Sequence, residues 1–168
     1  MQWISRAGLC FLTLSLLAGF ATRAEITVSV IPPSPGGWLV SVGANTLAGG
    51  AGTDFTHDYS TGPGGETINI AGTASASEAW QVLVKRSDTS WDGDLVVQVQ
   101  VLSLGTGNGT VYAPGQAMTV SDTFQSFFTG NGDRSTICVR LKLSGVSIPR
   151  VRAGRYTTNL VYTVVPLQ

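Results

Sequence analysis

Cysteine, histidine and charge are what this chain has least of. Two cysteines, Cys10 and Cys138, and one histidine, His57, occur in 168 residues, and Asp, Glu, Lys and Arg together make up 12%. A zinc centre or a nucleophilic triad needs several converging His, Cys, Asp or Glu groups, so no catalytic residue, no metal site and no cofactor is expected. His57 beside Asp58 reads as a solvated strand residue. Ten acids balance ten bases, which gives no electrostatic footprint for a nucleic acid partner. After the first two dozen residues no window shows helical periodicity, and no apolar run approaches the ~20 residues that a spanning helix needs.

The first 24 residues carry Arg6, then an apolar run over 7–20 with Leu12, Leu14, Leu16 and Leu17, then small residues. That order predicts a secretory signal over 1–24, cleaved after Ala24, with Ala21 as the alternative. Removal of 1–24 leaves 144 residues, one domain in length, with Cys138 as its single cysteine. An intramolecular disulfide is therefore excluded, and an exported domain of this size must rely on its core. The processed chain keeps all ten acids and eight bases, divided unevenly. Residues 25–128 hold nine acids against Lys85 and Arg86, whereas from 129 onward Arg134, Arg140, Lys142, Arg150, Arg152 and Arg155 face only Asp133.

What the chain does have is glycine, 21 of them, and short apolar alternations between glycine-rich breaks. Residues 25–31 place Ile26, Val28 and Val30 on one face and Thr27 and Ser29 on the other, the period of a half-buried strand. Pro32, Pro33 and Pro35 then separate this segment from the rest, dividing the processed chain into a terminal strand and linker (25–36) and a body (37–168). Further strands are expected over 38–42, weakly over 53–59, and over 67–71 with Ile68 and Ile70 inward. The strongest alternations are 79–86 (Trp80, Val82, Val84) and 94–104 (Leu95, Val97, Val99, Val101), joined by a hairpin-type connection through Asp88, Asp92 and Gly93. Short strands are expected over 110–112, 118–121 and 123–128. Two more follow, over 136–143 with Ile137, Val139, Leu141 and Leu143 on one face, and over 154–165 with Leu160, Tyr162 and Val164 on one face. About eight to ten short strands punctuated by glycine predict an all-β, antiparallel, immunoglobulin-like β-sandwich.

Several local patterns favour bland readings. Asp88, Asp92 and Asp94 lack the regular ligand spacing of a calcium loop and read as acidic turn residues. The run from Gly105 to Gly109 resembles a phosphate-cradling loop, but no helix follows to offer its amides, so it reads as a strand connection. Asn108 opens a glycosylation sequon there. Cys138 shares a face with Arg140 and Lys142 and reads as a packed thiol. Trp38 and Trp91, near turns, are the candidate glycan contacts, since sugar sites use exposed aromatic platforms; Trp80 belongs to an inward face.

The C-terminal part, an alternating basic and apolar strand over 135–144 and then Ala153, Gly154, Arg155, Tyr156 and Thr157 running into the alternation of 160–165, resembles the β-sandwich pilins and spore-coat-U-like proteins of bacterial chaperone-usher systems. The resemblance implies an incomplete, pilin-like sandwich whose gap is filled by the N-terminal strand of the next subunit. Ile26, Val28 and Val30 would then be the donor-strand residues, other copies of the chain the partners, and a periplasmic chaperone and usher the assembly factors. Arg150, Arg152 and Arg155 are the candidate subunit contacts. This sequence departs from the family in having no disulfide and in placing Tyr162 short of the penultimate position. The expected function is a secreted structural subunit of a cell-surface filament. A monomeric carbohydrate-binding or adhesive sandwich is the alternative, and a laterally associating outer-coat protein is a third reading.

Overall fold

The computed structural model describes residues 25–167. The signal expected over 1–24, with Cys10, lies outside them. Eleven strands form two antiparallel sheets facing one another, an all-β sandwich, and the described helical structure is a single 3-10 turn at Ala44–Thr46. The first sheet runs β1 (Thr27–Ile31), β3 (Glu66–Ala71), β10 (Arg134–Ser144), β5 (Val96–Ser103) and β8 (Met118–Thr119), with β2 (Tyr59–Ser60) and β6 (Thr106–Gly107) also paired to β10. The second runs β11 (Thr157–Pro166), β4 (Ala79–Ser90), β9 (Gln125–Asn131) and β7 (Val111–Tyr112).

The inward rows are those the alternation marks. Trp80, Val82 and Val84 of β4 are fully buried, and so are Val99, Ile137, Val139 and Ile68 opposite them. These β-branched residues suit a pleated, half-buried surface because their stiff side chains lose little freedom there. Trp80 anchors one end: its Nε1 donates to the Gly132 carbonyl at 2.8 Å, and its ring meets Phe128 edge-on with centroids 6.0 Å apart.

Three expectations need correcting. Residues 38–42 form no strand: Leu39 is 84% exposed, and the segment has no ladder partner. Over 53–59 there is only an isolated bridge between Leu47 and Phe55, followed by the two-residue β2. Nor do β4 and β5 form a hairpin. The first continues to Ser90 on the outer part of β11, and the chain then crosses to the other sheet, where β5 pairs with β10 and β8. Indole Nε1–H of Trp91 donates to the Leu95 carbonyl at 2.9 Å, so the crossing is a tight corner.

Arg134 is buried at the start of β10 with no acidic partner among the described residues. Its guanidinium donates to the carbonyls of Leu104, Gly105 and Gly109 at 2.7 Å each and to that of Gly107 at 3.4 Å. Its Nε is buried without a partner among the described residues, so the burial of this cation rests on those four bonds, which pin the glycine-rich connection the sequence suggested. A bulge follows, in which Thr136 adopts a φ of 57° and its amide donates to Asn69 Oδ1 at 2.8 Å.

Candidate functional site: the open side of the sandwich

On one side of the sandwich, each sheet ends in an unpartnered strand. β1 hydrogen-bonds only to β3, and β11 only to β4. These two edges lie side by side, with Cα atoms of β1 and β11 approaching within 8 Å, yet no ladder joins them. Each therefore presents a row of amides and carbonyls on its outer edge, the geometry onto which another strand adds.

The segment 25–31 pairs within its own chain. β1 runs antiparallel to β3 with Val28 opposite Ile70 and Val30 opposite Ile68, which puts both valines on the core side. Ile26 and Val28 pack against the core, whereas Val30 is 37% and Ile31 56% exposed. The attachment is thin: of the five strand residues only Val28 is even half-buried. Gly72, just beyond β3, has a φ of +87° and lets the chain approach so closely that a Cβ there would lie 2.4 Å from the Glu25 carbonyl oxygen. Residues 32–37 leave β1 through an exposed turn closed by the Gly37 amide on the Ser34 carbonyl at 2.9 Å.

Across the gap, Leu160, Tyr162 and Val164 face inward from β11 opposite Arg86, Val84 and Val82 of β4. They pack against the core but stay half-buried, in contrast to the fully enclosed Val82 and Val84 one strand further in. Trp38 is also half-buried against the core. The open side is thus lined by Ile26, Val28, Leu160, Tyr162 and Val164.

Sequence reasoning missed the polar tie in this seam. Tyr162 Oη donates to Glu66 Oε2 at 2.7 Å, linking the sheets through residues 96 positions apart. Burial pushes the Glu66 carboxyl up, with the tyrosine bond opposing that, and burial beside this carboxylate raises the Tyr162 hydroxyl well above its usual range. The signal in the sequence was parity: Glu66 alternates with Ile68 and Ile70, an acid in an inward row.

The remaining candidates are dispersed. Arg150, Arg152 and Arg155 are exposed in the connection between β10 and β11, and none forms an ion pair among the described residues. Trp91 is half-buried beneath the Arg86 guanidinium, 5.1 Å from its ring centroid. His57 Nε2 lies 3.3 Å from Asp54 Oδ2, and the Ser147 hydroxyl donates to that same oxygen at 2.7 Å. The carboxylate thus sits between hydroxyl and imidazole, so this histidine is not placed to take the serine proton as a general base does. Among the described residues no three His, Cys, Asp or Glu side chains group as metal ligands. Compared with models of known protein families and with curated proteins, the chain matches none.

Proposed function

We propose that this protein is a secreted structural subunit of an extracellular filament, polymerised by transfer of β1 to a neighbouring copy. The observation that carries the reading is the two-sided seam. β1 hangs on one neighbour with little of its surface covered, and the inward row of β11 beside it is only half-enclosed. In the polymer, Ile26, Val28 and Val30 of one subunit take the place beside β3 of the next that its own β1 has vacated.

Such an exchange replaces each contact by an identical one, so the pairing itself is nearly neutral and the balance falls to linker geometry and concentration. Residues 32–37, with three prolines, form a short stiff connection that resists folding back. A head-to-tail contact of this kind does not close and therefore propagates. A chaperone and usher would hold the acceptor edge covered until transfer.

Register gives the test. Thr27 lies opposite Ala71 on the exposed face of the β1–β3 pair. With Cys138→Ser as background, Thr27→Cys and Ala71→Cys should form a disulfide between subunits, seen as a ladder of oligomers on non-reducing denaturing gels. Crosslinks confined to single chains at concentrations where the protein sediments as polymer would overturn the exchange. Deleting residues 25–31 should leave a subunit, folded or chaperone-held, that does not polymerise.

A further inference from the structure

A second feature lies on the outer face of the first sheet, away from the seam. There a cleft of ≈ 280 Å³ opens over β10, β5 and β2, lined by Asp58, Ser60, Gln98, Gln100, Arg140 and Lys142 among others. Register explains the convergence: Arg140 lies opposite Gln100, and Lys142 lies opposite both Gln98 and Ser60. Lys142 is matched by Asp58, 3.5 Å away. Arg140 is not matched. Its side chain forms no ion pair or hydrogen bond among the described residues, and its Nε is buried without a partner.

An arginine fork is a planar donor array suited to a carboxylate, and leaving a buried donor unpaired is unfavourable. The groups beside it are of another kind. Gln100 Nε2 is fixed by the Gly115 carbonyl at 2.7 Å, and Gln98 Nε2 by Thr119 Oγ1 at 3.4 Å. Each side-chain amide keeps an oxygen that accepts from a hydroxyl, and the Ser60 hydroxyl both donates and accepts. One uncompensated cation beside several hydroxyl partners, in a space at the lower end of small-ligand sites, defines a ligand with one carboxylate and several hydroxyls.

We infer that this cleft binds a sugar carboxylate, a hexuronate-type unit whose carboxylate pairs with Arg140 and whose hydroxyls reach Gln98, Gln100 and Ser60. The site does not depend on strand exchange, because none of its lining residues belongs to β1.

The test is an amide and side-chain NMR titration of the processed chain with glucuronate, its methyl glycoside, glucose and acetate. Glucuronate should give saturable shifts centred on residues 98–100 and 140–142, with a Kd on the order of millimolar, as few ligand atoms allow. The methyl glycoside, standing in for a glycan-linked unit, separates a chain-borne sugar acid from a free one; either binding supports the site. Glucose and acetate should bind at least tenfold more weakly, and Arg140→Gln should weaken glucuronate at least tenfold while its circular dichroism stays unchanged. No saturable shift for glucuronate or its glycoside, equal binding by Arg140→Gln, or acetate binding as tightly as glucuronate would each overturn the assignment.

Discussion

The Tyr162 hydroxyl and the Glu66 carboxylate are joined at 2.7 Å between the two sheets, inside a seam otherwise lined by aliphatic side chains. Removing the donor strands a buried acceptor, so Tyr162→Phe should cost about 1–3 kcal/mol and move Glu66 further up. Because burial already raises this carboxyl, the folded state holds its proton more tightly than the unfolded one. The stability from Glu66 is thus full below the unfolded value near 4.5 and falls as pH rises through the folded value. Glu66→Gln keeps a neutral acceptor throughout. It should be more stable than the parent at pH 7, with the gap closing toward pH 4, in urea unfolding at the two pH values. Tyr162, also raised, should cause a second loss of stability above pH 10 that Tyr162→Phe lacks.

Asp54 works in the opposite sense. The Ile148 amide and the Ser147 hydroxyl donate to it at 2.7 Å each, with further bonds from Phe55 and His57, and its carboxyl is lowered to about 2. A depressed carboxyl contributes stability above its unfolded value, and that contribution is lost as pH falls toward the folded one. Asp133, lowered by the hydroxyl and amide of Thr73, adds to the same acid limb. Asp54→Asn should flatten that limb between pH 4 and 2. It should also speed exchange of the Ile148 amide while amides of β4 keep their protection.

Gly130 is pressed against both Trp80 and the backbone of Thr110: a Cβ on it would meet the indole ring and the Thr110 carbonyl oxygen at 2.5 Å each. Gly130→Ala should cost roughly 1–3 kcal/mol by overpacking, and Trp80→Ala roughly 3–5 kcal/mol by leaving a cavity. The double variant Gly130→Ala, Trp80→Phe should be less destabilised than the sum of Gly130→Ala and Trp80→Phe taken singly, since the smaller ring relieves the indole part of the clash and leaves only the approach to the Thr110 carbonyl. Thermal unfolding of the four proteins checks the cycle.

How far the fold was legible follows from what alternation encodes. The inward rows 80, 82 and 84, then 97, 99 and 101, then 137, 139 and 141 are visible because each strand buries one face, and period two records that directly. Partner choice is not recorded in the same way. The alternations over 79–86 and 94–104 read as a hairpin because they are adjacent and equally apolar, yet the corner at Trp91 sends β4 and β5 to different sheets. Residues 38–42 alternate too, but a strand needs a neighbour's hydrogen bonds, and this segment joins no ladder. Of the seam, the apolar lining was readable from parity; the Glu66–Tyr162 tie needed the register of two sheets, which no single segment carries.

The basic connection should act at longer range. Arg150, Arg152 and Arg155 are exposed and unpaired among the described residues, while nine of the ten acids lie before residue 129. If opposite poles of successive subunits approach, reversing all three arginines to Glu should slow polymerisation at low salt. The effect should fade near 1 M salt, where the screening length is about 3 Å. Unchanged assembly at low salt would remove these arginines from the contact. Light scattering against ionic strength is the measurement.

Gly72 offers a way to separate the two halves of the proposed exchange. At a φ of +87°, with the Glu25 carbonyl 2.4 Å from the position of a Cβ, alanine there is strained and pushes the start of any incoming β1 off β3. The donor segment 25–31 itself is untouched. A Gly72→Ala subunit should therefore donate its strand but accept one poorly, and exchange at the amides of Thr27–Ile31 should accelerate in the monomer. Deletion of 25–31 has the reverse defect: it leaves β3 vacant but removes the donor. Neither variant should polymerise alone, and mixed they should stop at a one-to-one pair, with Gly72→Ala giving the strand and the deletion receiving it. Added in small amounts to the parent protein, each should shorten filaments, because each supports growth at one end only. Sedimentation of the mixture and filament lengths by electron microscopy test both consequences. If the two defective subunits failed to pair while both remained folded, the strand would not be passing between neighbours at β3.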